Sequence, residues 1–518
     1  MQRSLYDVLN YFSVANVPAT AKKVKLTDLV SDTRKLQPGS IFYAHKGAHV
    51  DGRKFIGEAI AKGAALILLQ REQADEATLQ ACQKVPVALF SKVDEVGKFA
   101  SYFFDYPSLK LRLLGVTGTN GKTTITFLMA QLLQAFDKKC YILGTLGYGF
   151  LGHLHKSPNT TLEPIELQRH LAQAVAEGAR YAVMEVSSIG VVEGRVSGCT
   201  FFGGVFTNLT RDHLDYHHTM ENYAAAKEQF LRMVPPRHLV INAEDEYGHK
   251  WLQQFGESIY YAREGVKSIM ADKRGLIATQ LQYHKNGTSL YLASNMGRYE
   301  VNLPLMGAFN VSNYLAALSL LHVIGLPFNE LIRASANLKP VVGRMERFSA
   351  PDGAAPLCIV DYAHTPDGVE QALKAAREHM ELNAPLICVL GCGGDRDSGK
   401  RPIMARKAAV YADKVFITSD NPRTEDPQRI IDEMLLGVSM ASEKISVIVD
   451  RKEAIAAAVA YGRAHAHSVV LVAGKGHEDY QILKDKTIHF SDREEVCALL
   501  GLPQPAGLYA ESNAVEGA

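Results

Sequence analysis

LRLLGVTGTNGKTT, Leu111 to Thr124, is an apolar run that breaks into a glycine-rich turn and ends on a lysine and two threonines. Strand, glycine turn, lysine and hydroxyl in that order are what a nucleoside triphosphate requires. The glycines let backbone N–H groups point inward at phosphate oxygens, and a helix expected from Ile125 onward (ITFLMAQLLQAF) offers its positive N-terminal end. Lys122 neutralises phosphate charge, and Thr123 is placed to hold a magnesium ion. The chain therefore reads as a user of ATP, with Gly118, Thr119, Asn120, Gly121, Lys122, Thr123 and Thr124 forming the phosphate loop. A strict P-loop has its first glycine at position 116, where this chain has Val116. A bare strand-to-helix turn has no use for the lysine and both threonines, so the phosphate reading stands.

Downstream, YAVMEVSS, FFGGVFTNLT and HLVINA are apolar strands, each followed by a helix or a polar loop. That alternation predicts a mostly parallel sheet with helices on both faces and ligands at the carboxyl ends of its strands. IATQLQYHKNGTSLYLAS reads as a hairpin turning at Asn-Gly, inserted late in this unit. Upstream, SIFYAHKG, AALILLQ and VPVALF suggest a small α/β unit of their own. After Gly343, LCIVDYAHTPD, APLICVLGCGGDRD, KVFITSDNPRTEDP, ISVIVD and SVVLVAGKGHEDY make a third, Rossmann-like α/β pattern. At 518 residues the chain is long enough for about three domains of ~150 residues each. The expected fold is thus α/β throughout: an N-terminal unit over residues 1–92, a central P-loop-type ATPase unit over 93–341, a C-terminal unit over 342–503 and a disordered polar tail over 504–518.

Lysine plus arginine (56) balance aspartate plus glutamate (55), so no global field argues for nucleic acid or an anionic membrane. No apolar stretch reaches the ~18 residues of a membrane span, and MQRSLYDVLNYF is an amphipathic helix pattern without a signal peptide's apolar core. A cytoplasmic protein is expected. Seven cysteines without CxxC spacing read as reduced thiols.

Glu185 in MEVSS stands where a buried strand meets its loop, a good place for a carboxylate to reach magnesium beside a phosphate loop. In TNLTRDHLDYHHTMENYAAAKEQF, Asp212 and His213 follow a strand, and Lys227 lies about one helix further on. Taken alone, Glu185 reads as a surface acid and Lys227 as a solvated helix lysine.

These segments together resemble the Mur ligase family, ATP-dependent amide-forming enzymes of peptidoglycan precursor synthesis. GTNGKTT, NTTLEPIELQ, MEVSS, TNLTRDHLDYH, YAAAK, GAFNVSN, GRMERF, DYAHTPD, GDRDSGKRP, SDNPR and GKGHEDYQ stand in the family's order over about residues 25 to 500. The resemblance implies a three-domain enzyme whose first domain holds a uridine nucleotide. It further implies addition of meso-diaminopimelate to the γ-carboxyl of UDP-N-acetylmuramoyl-L-alanyl-D-glutamate, through an acyl phosphate, with ATP and magnesium. It also implies that Lys227 carries carbon dioxide as a carbamate, which makes chemical sense because an ammonium cannot ligate a cation whereas a carbamate supplies anionic oxygens. Lys122, Glu185, His213 and Lys227 would then be catalytic, with Thr123, Glu185, His213 and modified Lys227 holding metal.

By the same resemblance, Ser31, Thr33, Ala48, His49 and Val50 match contacts to the uridine nucleotide. Asn159, Thr160, Thr161, Ser187, Glu193 and Arg195 match contacts to the muramoyl dipeptide. The chain departs from the family's pattern at Ile189, where histidine is common, and at Glu193, where a neutral amide is common. For adenine and ribose the matches are Asn310, Arg344, Asp361 and His364. Arg396, Asp420, Asn421, Pro422, Arg423, Gly474 and Glu478 would choose the amino acid. Arginine suits a bidentate grip on a carboxylate, and diaminopimelate differs from lysine by a second one at its far end. Arg423 would pair with that carboxylate and Glu478 with the distal ammonium. A folylpolyglutamate synthetase lacks the first domain, a lysine-adding relative lacks this arginine, and a regulatory protein that had lost catalysis would show a damaged metal site. The expected partners are these small molecules, with no nucleic acid, no membrane insertion and a monomeric chain.

Overall fold

Runs of β-branched and aliphatic residues bounded by glycine and polar turns become buried strands here, and among the described residues they gather into three large sheets and one two-stranded hairpin, Tyr480–Leu483 with Lys486–His489. The computed structural model describes residues 3–15, 17–47, 50–263, 274–294, 297–351, 353, 355–439, 443–505 and 507. Strands β1 (Leu29–Val30), β2 (Ile41–Ala44), β3 (Leu66–Gln70) and β4 (Val87–Phe90) form an all-parallel sheet in that order. The helix Asp94–Phe103, assigned from sequence to the central unit, buries Val96, Phe99, Ala100 and Phe103 against this first sheet's core, together with Ile165 of the helix Pro164–Ala176. The seam between the two units therefore runs along this helix. Arg169 of the helix Pro164–Ala176 ties the seam further, donating to both carboxylate oxygens of Asp28 (2.7 and 2.9 Å) and to the Leu29 carbonyl (2.6 Å).

The central sheet has eleven strands: β5 (Arg112–Thr117), β6 (Cys140–Gly144), β7 (Gly147–Phe150), β8 (His153–His155), β9 (Tyr181–Glu185), β10 (Gly203–Phe206), β11 (Leu239–Asn242), β12 (Ile259–Arg263), β13 (Gly275–His284), β14 (Gly287–Ser294) and β15 (Gly297–Leu303). In space they run β15-β14-β13-β12-β11-β10-β5-β9-β6-β7-β8. From β13 to β6 the pairing is parallel, and antiparallel hairpins extend both edges. Helices cover both faces, as the near-continuous apolar strands require: Lys122–Gln134 and Ala308–Val323 on one, Pro164–Ala176, Met220–Leu231 and Glu246–Gln254 on the other. The expected hairpin is present, but its register pairs His284 with Gly287, so the turn residues are Lys285 and Asn286 rather than Asn-Gly.

The third sheet comprises β16 (Glu346–Phe348), β17 (Leu357–Asp361), β18 (Leu386–Cys392), β19 (Lys414–Ser419), β20 (Ile445–Val447) and β21 (Val469–Ala473), ordered β16-β17-β21-β18-β19-β20. All pairs are parallel except β16 with β17. Central and third units meet at Gly343, which has φ +64°, and a Cβ there would lie 2.2 Å from the His477 nitrogen. Only glycine fits this link. The tail expected over 504–518 falls at residues 506 and 508–518 outside the described residues. Among the described residues all seven cysteines are free and buried, and no helix is long and apolar enough to cross a membrane.

Candidate active site

Parallel pairing brings the carboxyl ends of β5, β9 and β10 side by side, with Val116 opposite Glu185 and Thr117 opposite Phe206. Val116 is a wholly buried strand residue, so the loop starts at Gly118, two residues later than the strict pattern asks. Gly121 has φ +90° and caps the helix Lys122–Gln134, and a Cβ on it would sit 2.4 Å from Asn313 Oδ1. The loop is braced from β10's end: Asn120 donates its N–H to Asn208 Oδ1 at 2.9 Å, and Thr207 Oγ1 donates to the Asn120 carbonyl at 2.6 Å. Lys122 folds back over the turn, its Nζ donating to the carbonyls of Gly118 (2.8 Å) and Thr119 (2.9 Å).

Glu185 is not a surface acid; it is 1% exposed. Its Oε1 accepts from Thr123 Oγ1 (3.0 Å) and the Thr145 N–H (2.8 Å), and its Oε2 from Thr145 Oγ1 (3.1 Å). Thr145 Oγ1 lies 3.1 Å from Thr160 Oγ1, which joins the NTT segment to this carboxylate. Thr161 Oγ1 donates to the Glu185 carbonyl at 2.9 Å and accepts from the Ser187 N–H at 2.9 Å. Arg195 donates to the Thr161 carbonyl (2.8 Å) and pairs with Glu193 (2.8 Å), so the unexpected carboxylate at 193 has a partner within the chain. Asn159 offers its carbonyl to Ser157 Oγ at 2.7 Å.

Lys227 is likewise not solvated; it is 1% exposed, on the helix Met220–Leu231. Its ammonium lies 4.4 Å over the Tyr223 ring, one turn earlier, and among the described residues it has no hydrogen-bond or ion-pair partner. Burial, with the nearby Lys122 cation, holds its pKa well below the ordinary lysine value. Tyr223 also reaches the phosphate loop, its hydroxyl 3.1 Å from Thr119 Oγ1, and its ring centroid is 6.0 Å from that of His213. His213, at φ +53°, stands with Nε2 3.4 Å from Asp212 Oδ2. Desolvation by the surrounding cleft, where the ring still meets solvent, and the cations of Lys122 and Lys227 keep its imidazole below the usual pKa against the pull of Asp212. Thr145 and Tyr223 were not singled out from sequence. Only the Tyr223–Lys227 spacing of one helical turn hinted at the second.

A cleft of about 600 Å³ opens in front of these groups. Its walls are the phosphate loop, Glu185 and His213 on one side and Arg344, Asp361, Tyr362 and His364 of the third unit on the other. Arg344 reaches Thr123 Oγ1 at 3.4 Å and lies 4.2 Å over the Tyr362 ring. Asp361 accepts from the N–H groups of Met345 (2.7 Å) and Ala363 (2.8 Å), so it also clamps the link between units. Desolvation by the cleft walls, then the Lys400 cation, lower the pKa of His364, whose ring nonetheless remains open to solvent. Asn310 does not line the cleft: its side chain is spent on the Met306 carbonyl (2.9 Å) and on Asn313 (3.0 Å), while Asn313 itself lines it.

The carboxyl ends of the third sheet carry the remaining predicted residues. Asp420 and Asn421 are buried after β19, and Arg423 takes φ +52°, fixed by its N–H to the Ile482 carbonyl (3.1 Å) and its carbonyl from the Lys484 N–H (2.8 Å). Its guanidinium donates to the Gly394 carbonyl at 2.7 Å. Asn421 Nδ2 donates to Glu478 Oε2 at 2.8 Å, and a Cβ on Gly474 would lie 2.6 Å from Asp420 Oδ2. Arg396 is exposed on the preceding loop, and Pro422 turns the chain between Asn421 and Arg423. In the first unit Thr33 is buried, its carbonyl held by Lys62 Nζ at 3.1 Å, while Ser31 and Val50 are exposed. Ala48 and His49 lie outside the described residues.

Chains with this arrangement are known. The Mur ligase middle domain matches residues 116–321, the Mur ligase glutamate ligase domain 343–476, and the Mur ligase family catalytic domain 26–103. UDP-N-acetylmuramoyl-L-alanyl-D-glutamate--2,6-diaminopimelate ligase of Haemophilus influenzae (strain 86-028NP) is 41% identical over 481 residues, 92% of this chain and 97% of that protein. A solved structure of an enzyme with the same name is 33% identical, with a TM-score of 0.67 over 97% of this chain and 99% of its own. A folylpolyglutamate synthase from Thermotoga maritima shares the fold at 17% identity and a TM-score of 0.54, but over only 74% of this chain. With three family domains in series and that identity along nearly its whole length, the chain belongs to the Mur ligase family.

Proposed function

We propose that this chain is the ATP-dependent ligase that joins meso-diaminopimelate to the γ-carboxyl of UDP-N-acetylmuramoyl-L-alanyl-D-glutamate, acting as a cytoplasmic monomer. The observation that carries the reading is the cleft, where a phosphate loop and a buried carboxylate on one wall face a cationic arginine and a histidine from the amino-acid-selecting unit on the other. The γ-carboxylate of the D-glutamyl residue attacks the γ-phosphorus of ATP, the bond to the bridging oxygen breaks, and ADP leaves behind an acyl phosphate. The amine of diaminopimelate then attacks the acyl carbon, the carbon–oxygen bond to phosphate breaks, and the amine proton is released as the amide forms. Such catalysis is positioning and charge stabilisation, with no covalent enzyme nucleophile.

Lys122 is already poised over the phosphate loop and would exchange its two carbonyl bonds for phosphate oxygens. Arg344 adds a second positive charge beside Thr123. Lys227 fits the role of a carbamate: burial without an ion pair, and the Lys122 cation, outweigh the pull of Asp212 and Asp245 and favour the neutral amine, whose nitrogen attacks carbon dioxide and loses a proton to give the anion. No trio of His, Cys, Asp or Glu among the described residues is arranged for a metal. Glu185, His213 and the oxygens of a carbamate would make up a hard-donor set suited to magnesium, with Thr123 beside Glu185. Magnesium, when bound, would supply charge neutralisation for the phosphoryl group. In the third unit, Arg423 keeps donors beyond its bond to Gly394 for the distal carboxylate, and Glu478 would take the distal ammonium.

The test is phosphate release by the purified chain with ATP, magnesium and the nucleotide dipeptide, comparing meso-diaminopimelate with L-lysine. Release that depends on diaminopimelate is expected. Release only with lysine would keep the chemistry and overturn the part given to Arg423; silence with both would overturn the reading.

A further inference from the structure

Lys475 lies in the GKGHE loop that follows β21 and is 0% exposed. Its ammonium donates to Glu478 Oε2 (3.2 Å), to Asn421 Oδ1 (3.3 Å) and to the Tyr480 carbonyl (2.5 Å). Three acceptors use all three ammonium donors. A wholly buried ammonium with no donor to spare does not reach a ligand, so whatever it does for binding it does through these neighbours. Asn421 is oriented by the same contact: its Oδ1 also accepts the Ile482 N–H (3.0 Å), which turns its Nδ2 toward Glu478 Oε2 (2.8 Å). Lys475 and Asn421 thus both bond one oxygen, Oε2, while the Tyr480 hydroxyl also bonds the carboxylate. Neither Lys475 nor Asn421 uses Oε1, the oxygen they leave toward a ligand's ammonium.

Charge points the same way. Asp420 and Glu478 line this corner with two carboxylates, while Arg451 is already engaged by Asp492 through bonds of 2.7 Å. Lys475 contributes one positive charge, and a ligand ammonium would balance the second. We propose that Lys475 is a positioning residue for amino-acid selection, holding Glu478 and Asn421 as a prebuilt receptor for the ammonium at the distal end of the incoming diamino acid. This rests on the reading that the chain adds diaminopimelate.

The experiment uses the full-length chain and measures KM for diaminopimelate, ATP and the nucleotide dipeptide separately, together with kcat. Lys475→Met is expected to raise KM for diaminopimelate by roughly tenfold or more, the scale of losing a charge-assisted contact, with the other two KM values unchanged. Combined with Glu478→Gln, it should add nothing beyond Glu478→Gln alone, since both act on one contact. Lys475→Gln, which keeps a donor toward the Tyr480 carbonyl, serves as the milder variant should the methionine not fold, and it should move KM for diaminopimelate in the same direction. An unchanged KM for diaminopimelate, an equal shift in all three KM values, or additivity in the double variant would each overturn the proposal. A wild-type chain that ignores diaminopimelate would instead remove the functional reading beneath it.

Discussion

Among the described residues, two lysines are buried to within 1% of complete exclusion from water, and they are treated in opposite ways. Lys475 sits among a carboxylate, an amide oxygen and a backbone carbonyl, each within 3.3 Å of its nitrogen. Among the described residues Lys227 has no hydrogen-bond or ion-pair partner; its ammonium lies over the face of Tyr223, with the carboxylates of Asp212 and Asp245 acting from further off. Burying an ammonium without compensation costs several kcal/mol, so a chain that keeps such a lysine keeps it in another chemical form. Burial with partners marks a group that organises its neighbours; burial without them marks a group whose chemistry changes. The first lies at the end of the third sheet, the proposed place of amino-acid choice, and the second beside the phosphate loop, where the carboxylate of the nucleotide dipeptide would be activated.

The largest effect should come from removing the unpartnered lysine. Lys227→Ala is expected to lower amide formation on the order of a thousandfold, in the range for losing one preorganised electrostatic group, and the dependence on added bicarbonate should vanish with it. Carbon-13 NMR with labelled bicarbonate should show a carbamate signal in the wild type and none in the variant. Retained turnover would make Lys227 an ordinary buried lysine and dissolve the contrast.

Next in size is Arg423, two residues beyond Asn421, which the partnered lysine holds. Arg423→Leu should raise KM for diaminopimelate about a hundredfold, because a site built around a carboxylate is left with an unpaired one, while lysine, which lacks that group, should be affected far less. Equal effects on both amino acids would separate Arg423 from the choice.

How much of this was legible in the sequence follows from what each motif needs. The phosphate loop and the three α/β units could be read because strand periodicity and loop chemistry are local, whereas Glu185 taken alone reads as a surface acid until the neighbouring strand ends enclose it. The environment of Lys227 could not, since YAAAK reads as any exposed helix turn until the loop after β10 brings Asp212 and His213 near it and the loop after β5 brings Thr119 to Tyr223. Lys475 escaped notice within a motif that was itself recognised: its partner Asn421 comes from another loop 54 residues away, and the carbonyl it reaches, Tyr480, becomes a partner only because the chain turns there into the strand Tyr480–Leu483. The same limit applies to Thr145, which reaches Glu185 only because β6 lies beside β9. The hairpin shows the converse, a correct local pattern whose register shifted because Gly287 pairs with His284 as a strand residue.

Stability should move in opposite directions at the two lysines. Lys227→Met, melted in bicarbonate-free buffer, should raise the stability of the central unit by about 1 kcal/mol or more, since an uncompensated polar group leaves the interior. Lys475→Met should lower that of the third unit by about 1–3 kcal/mol, because Glu478 and Asn421 lose a buried donor. Thermal or urea unfolding of the two variants, measured side by side, checks the signs; shifts of the same sign would mean that the partners around Lys475 contribute nothing net.

The smallest effect is a pH dependence at Glu478. Burial raises its carboxyl above the ordinary glutamate range, Asp420 adds to the rise, and Lys475 and Asn421 work against it. Tyr480 and the paired Arg451 also face it. A carboxyl with a raised native pKa binds its proton more tightly folded than unfolded, so its contribution is fully present below about pH 4.3 and is lost as pH rises through the native value. The stability of the wild type relative to Glu478→Gln should therefore fall as pH rises from about 4.3. Removing the Lys475 charge removes an opposing influence and raises the native value further, so in Lys475→Met the same fall should extend to higher pH. Melting curves for the four combinations of the two sites across acidic to neutral pH test this. A fall that ends at the same pH with and without Lys475 would show that the ammonium does not act on the carboxylate, and the difference between the two buried lysines would then lie in packing alone.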